Sequence, residues 1–93
     1  MQVRNAMEEK LRAAFAPKRL VITDDSHRHA GHGGARPEGE THFTVEIVSA
    51  TFAGQGRVTR QRAVYAALAH ELETRVHALA LTTLTPEEDE KLG

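Results

Sequence analysis

Val3, Met7, Leu11 and Phe15 recur every four residues with charged positions between them, the period of a helix that lays one apolar stripe on a core. Pro17 closes that helix. Leu20-Val21-Ile22-Thr23 is a short β-prone run. Phe43, Val45 and Ile47 alternate with Thr44 and Glu46, the two-residue period of a strand with one buried face. The two strands are expected to pair as antiparallel neighbours. Between them lie roughly 17 residues rich in Gly, His and charge, longer than an ordinary hairpin loop and so a candidate functional loop.

Phe52-Ala53-Gly54-Gln55-Gly56 reads as a turn. After it Val64, Leu68 and Leu72 repeat at helical spacing, with Thr59 as the expected N-cap. Arg60 and Arg62 then fall in the first turn, where positive charge opposes the helix dipole by a few tenths of a kcal/mol. Contact with an anionic group or a partner would account for them, and so would a solvated face. Leu79 and Leu81 alternate with Ala78, Ala80 and Thr82 as a third strand. Thr85-Pro86-Glu87-Glu88 supplies an N-cap, a proline at the first helical position and a capping-box glutamate, so a short last helix begins there. The order is helix, strand, strand, helix, strand, helix. It predicts an α+β fold with a three-stranded sheet, helices on one face and the other face open.

The chain has 93 residues, enough for one modest core, and a single domain over 1–93 is expected. With 12 Lys+Arg against 13 Asp+Glu the formal net charge is -1, unlike the basic stripe that usually marks a nucleic-acid binder. Protonating the 6 histidines would turn that balance positive. No apolar run approaches the ~20 residues needed to cross a bilayer. Met1-Gln2-Val3-Arg4-Asn5 lacks the features of a secretory signal, and Glu8 and Glu9 argue against a transit peptide. A cytoplasmic protein is the expectation.

The candidate chemistry sits in Ser26-His27-Arg28-His29-Ala30-Gly31-His32-Gly33-Gly34, three imidazoles in a glycine-rich segment. Imidazole is the commonest protein metal ligand. The chain has no cysteine, so any iron–sulfur site must borrow its sulfur from another molecule. Solvated loop histidines are the plain alternative. A private zinc site is another, though ordering the loop at about 1–2 kcal/mol per residue would make it weak. His27-x-His29-x-x-His32 also has the look of a hydrolase metal motif, but position 31 is glycine and the scaffold is too short. His77, near a helix end, could cap carbonyls. His42, beside Phe43, is expected to point outward or to hydrogen-bond the loop, and His70 to be an exposed helix residue. Neither joins the ligand set. Ser26, Ser49 and Tyr65 show no sign of activation, so a non-catalytic protein is expected.

Val21-Ile22-Thr23-Asp24-Asp25-Ser26, Gly39-Glu40-Thr41-His42-Phe43, Ile47-Val48-Ser49, Phe52-x-Gly54, Val64-Tyr65, Glu71-Leu72 and Val76-His77-Ala78-Leu79 together resemble the BolA family over nearly the whole chain. The resemblance implies a class II KH-like fold, α-β-β-α-α-β. It also implies a partnership with a monothiol glutaredoxin, in which a 2Fe–2S cluster is shared with the glutaredoxin and its glutathione. No cofactor is then expected in the isolated protein, itself a monomer or weak homodimer. Cluster trafficking and iron sensing are the roles implied. His77 matches the family's ligand at the entry to the last strand. The second ligand comes from the loop after the first strand; counting forward from Asp24-Asp25-Ser26 favours His29, with His32 within reach of the longer glycine insertion. Many relatives carry histidine where this chain has Gln61, a departure that touches neither ligand.

Phe52 and Gly54, with Arg60 and Arg62 of the following helix, are the expected partner-binding surface. Some BolA relatives are linked to transcriptional control, so a DNA-binding regulator is the alternative, with Arg57, Arg60 and Arg62 touching phosphates. KH domains clamp a strand with a Gly-x-x-Gly loop. The corresponding Leu72-Glu73-Thr74-Arg75 has no glycine, and Gly31-His32-Gly33-Gly34 lies between strands.

Overall fold

The first helix is built on the predicted stripe. In the computed structural model, which describes residues 2–25 and 42–92, α1 spans Gln2–Phe15 and Val3, Met7, Leu11 and Phe15 are all buried. The Ala16 N–H donates back to the Arg12 carbonyl at 3.0 Å. Ala16 turns into the left-handed region at φ 43°, and Pro17 prevents further helix.

Strands β1 (Arg19–Asp24) and β2 (His42–Val48) pair antiparallel, from Arg19 opposite Val48 to Asp24 opposite Phe43. The third strand, β3 (Ala78–Leu84), lies parallel to β2, with His42 opposite Ala78 and Val48 opposite Leu84. The sheet order is β1-β2-β3. Ile22, Phe43, Val45 and Ile47 point into the core from the helical side, while Val21, Thr23, Thr44 and Ala80 stand exposed on the other face. The alternation read from the sequence therefore marks the two faces correctly.

A parallel partner must be reached by a crossover. Here the crossover is a short 3-10 turn (Ala50–Phe52), α2 (Arg57–Ala67) and α3 (Ala69–Thr74). Ser49, fully buried, starts the turn: its hydroxyl donates to the Phe15 carbonyl at 2.6 Å and accepts from Thr51 N–H at 3.1 Å. The N-cap of α2 is Gly56, not Thr59, and no side chain caps it. Gly56 offers a backbone carbonyl to Arg60 N–H at 3.1 Å, so the helix starts three residues early and Arg60 and Arg62 lie three residues deeper in it than expected. The single helix read through Val64, Leu68 and Leu72 is broken at Leu68, whose ψ of 16° separates α2 from α3.

Glu71 of α3 is buried. Lys10 of α1 meets it at 2.6 Å. The last helix, α4, spans Pro86–Leu92 and begins with the predicted capping box. Glu88 N–H donates to the Thr85 hydroxyl at 3.1 Å, and Thr85 N–H donates to Glu88 Oε1 at 2.9 Å. Element for element this is α-β-β-α-α-β with a C-terminal helix, an α+β fold on a mixed three-stranded sheet.

Candidate functional site

His77 stands one residue before β3 and is exposed. Its neighbour Val76 is buried at 4% exposure and donates its N–H to the Glu71 carbonyl at 2.8 Å. The chain is therefore pinned just where the imidazole emerges. His42 opens β2 directly opposite Ala78, which sets the two rings side by side with centroids 6.2 Å apart and planes inclined by 42°. The sequence reasoning left His42 out of the ligand set. Its adjacency to His77 follows from the parallel register of β2 and β3, which no local pattern reveals.

The same corner holds both stems of the glycine-rich loop. Asp25 N–H donates to the His42 carbonyl at 2.7 Å, and the Thr44 hydroxyl donates to the Asp25 carboxylate. His27, His29 and His32 lie outside the described residues. Among the described residues no three His, Asp or Glu side chains cluster closely enough to hold a metal ion. The donors at this corner are two imidazoles, with no thiolate in the whole chain. Without a thiolate in the chain, any iron–sulfur cluster at this corner would need sulfur ligands from a second molecule.

The surface expected to meet a partner differs from the expectation. Phe52 is fully buried, its ring 5.2 Å from that of Phe15, so it presents nothing to a partner. Arg60 is consumed inside the fold. Its guanidinium donates to Glu88 at 2.6 and 3.2 Å and to the Gln55 carbonyl at 2.8 Å, and it lies 5.9 Å from the Phe52 ring centre. With its side chain only 11% exposed, Arg60 is a staple between α2 and α4 and is spent for either phosphate or partner. This guanidinium, together with the Thr85 N–H, brings the Glu88 carboxyl down from 4.5 to about 2. Gly54 (φ 78°), Arg57 and Arg62 remain exposed.

Gly54 and Arg57 do not gather around His77. Gly54 and Arg57 lie by the Val48 and Leu84 ends of the strands, and the 7 residues of β2 put roughly 20 Å between the two ends of the sheet. A cleft of about 610 Å³ at that far end is bordered by Arg57, Lys91 and the Arg60–Glu88 pair. It is distinct from the imidazole corner.

A family model described as BolA-like protein matches residues 11–88. The chain is 48% identical over 92 residues to the DNA-binding transcriptional regulator BolA of Escherichia coli, covering 99% of this chain and 84% of that one. It is 49% identical over 84 residues to the chloroplastic protein BOLA1 of Arabidopsis thaliana, covering 88% of this chain and 52% of the relative. Among solved structures, BolA1 from Arabidopsis thaliana superposes with a TM-score of 0.81 at 43% identity, covering 92% of this chain and 94% of that one.

Proposed function

The chain belongs to the BolA-like protein family, and from that premise we propose that it is a non-catalytic cytoplasmic partner of a monothiol glutaredoxin, helping to hold a 2Fe–2S cluster between the two proteins. His77 is the fixed protein ligand, and His29, with His32 as its alternate, supplies the second imidazole from the loop. The observation that carries this reading is the exposed ring of His77 at the corner where both loop stems, Asp25 and His42, are fastened together.

When bound, the cluster supplies iron and sulfide that can be passed on or sensed. The chain's part is to present imidazole nitrogen donors. Histidine in place of thiolate raises the reduction potential and makes the iron–protein bond sensitive to protonation, which favours release on demand. Val76 and the first ladder position of β2 hold one side of this grip still. Neither trafficking nor sensing requires a nucleophile from this chain.

Coexpression with a monothiol glutaredoxin tests the reading. The copurified complex should absorb in the visible, and replacing His77, His29 or His32 by alanine in turn should alter the absorption and circular dichroism spectra for each residue that ligates. A wild-type complex that forms without visible absorption would overturn it.

The printed name of the Escherichia coli relative supports a second reading, a DNA-binding regulator. Arg57 and Arg62, exposed on α2, are then the phosphate contacts, and Arg60 has no part in it.

A further inference from the structure

We infer that the outer edge of β3 is a self-pairing surface, where a second copy of this chain lays its own β3 antiparallel and joins the two three-stranded sheets into one. This does not rest on the cluster reading, since it needs neither a glutaredoxin nor any histidine.

β3 closes one side of the sheet, and among the described residues no strand pairs with its outer edge. Two contacts show which backbone groups that edge offers. The Leu84 carbonyl accepts from Ser49 N–H at 2.9 Å, so Leu84 faces β2, and by the alternation of a strand so do Thr82, Ala80 and Ala78. Thr83 therefore faces outward. Its carbonyl accepts from Arg60 Nη1 of α2 at 3.4 Å, on the side away from β2. Leu79 and Leu81 share that direction, each presenting an N–H and a C=O to whatever lies alongside.

Sheet edges are commonly guarded by charge or proline. The opposite edge, β1, carries Arg19 at one end and Asp24 at the other. β3 reads Ala-Leu-Ala-Leu-Thr-Thr-Leu, with neither, and its guard is Arg60 at Thr83. That guard also sets the register. With the Thr83 carbonyl taken, a two-fold axis through Ala80 matches Leu79 of each copy with Leu81 of the other, for about four hydrogen bonds in all. Ala80 then meets Ala80 of the second copy at a non-hydrogen-bonded position, where Cα atoms approach to about 4.5 Å, and Ala78 meets Thr82. The exposed face thus brings only small side chains together, while the half-buried Leu79 and Leu81 extend the two cores toward each other. Such a strand is its own complement. A foreign strand, by contrast, finds no charge on β3 to select it. One strand pair of this length buries less than the roughly 1,200 Å² of a stable interface, so the pairing is an equilibrium that follows concentration.

Sedimentation equilibrium of the purified chain, from micromolar to millimolar concentration, tests the inference on wild type, Ala80→Lys, Ala80→Glu, an equimolar mixture of those two, and Val21→Lys. Ala80 is exposed, so its variants should fold as wild type does, which circular dichroism checks. Wild type should pass from monomer to dimer as concentration rises. Either charge at Ala80 should weaken the association by about tenfold or more, because like charges then face each other across the axis. The mixture, which sets opposite charges there, should return to within about threefold of wild type. Val21→Lys adds a charge to the same face at the other edge, on the exposed Val21 of β1, and should change the association by less than about twofold. In wild type the amide protons of Leu79 and Leu81 should gain protection from exchange as the dimer forms. A chain that stays monomeric throughout would leave the edge to a foreign strand and overturn the pairing. A dimer indifferent to charge at Ala80, a mixture that stays monomeric, or a dimer broken by Val21→Lys instead would each overturn it too. None of these outcomes bears on the glutaredoxin complex, whose cluster is read by its own spectrum.

Discussion

Glu88 Oε1 accepts from Arg60 Nη1 at 2.6 Å and from Thr85 N–H at 2.9 Å, and Oε2 accepts from Arg60 Nη2 at 3.2 Å. These donors favour the ionised carboxylate, foremost the Arg60 guanidinium, and lower its pKa from 4.5 to about 2. A group whose pKa is depressed in the folded state stabilises that state above the unfolded pKa and loses the contribution as pH falls through the folded one. The docking of α4 should therefore weaken between about pH 4.5 and pH 2. Glu88→Gln should lower the melting temperature near neutral pH and flatten the acid limb over that window, which melts followed by circular dichroism will read. An unchanged acid limb in the variant would mean that other carboxylates govern it. Arg60 also shows why a charged residue in a sequence is hard to interpret. The first-turn argument left both an anionic contact and a solvated face open, and the partner that decides between them, Glu88, lies 28 positions away.

At the scale of elements, α1 and α3 are joined by Lys10 and Glu71, 61 positions apart and 2.6 Å from each other. Glu71 is buried at 5% exposure and the Lys10 side chain is 41% exposed, so the loss falls mainly on the carboxylate left behind. Lys10→Ala should destabilise the fold by about 1–2 kcal/mol in chemical denaturation, and Lys10→Arg should recover part of it. No measurable change would mean that Glu71 finds another donor. The elements themselves were largely legible. The four-residue stripe of α1, the two-residue alternation of β2 and the capping box of α4 are local patterns, and each appears where expected. The start of α2 was not, because Gly56 caps through its backbone alone while Thr59, the better cap by residue type, lies already inside the helix. The break at Leu68 keeps the apolar spacing of Val64, Leu68 and Leu72 and so leaves no mark in it. His42 escaped for a related reason. Its neighbour His77 is 35 positions on, brought alongside by the parallel register of two strands.

Across the whole molecule the sheet has two working ends. The imidazole pair and the loop stems lie at one, and the Arg60–Glu88 staple, Gly54 and Arg57 at the other, where Arg19 also ties Glu46 and Asp89 together on the open face. No helix of the described residues is long and apolar enough to cross a membrane. This separation makes the two functional readings independent. If Arg57 and Arg62 contact duplex DNA, neutralising two phosphates gives a log–log salt slope of about -2, and Arg57→Ala should bring it to about -1 without altering the spectrum of a glutaredoxin complex. Fluorescence anisotropy at several salt concentrations measures the slope, and binding that is indifferent to salt would contradict the phosphate contacts. The central claim concerns the other end. The decisive measurement is the visible spectrum of the glutaredoxin complex copurified with His77→Ala, beside wild type: the account predicts a changed spectrum or a lost cluster, and an intact complex with an unaltered spectrum would contradict it.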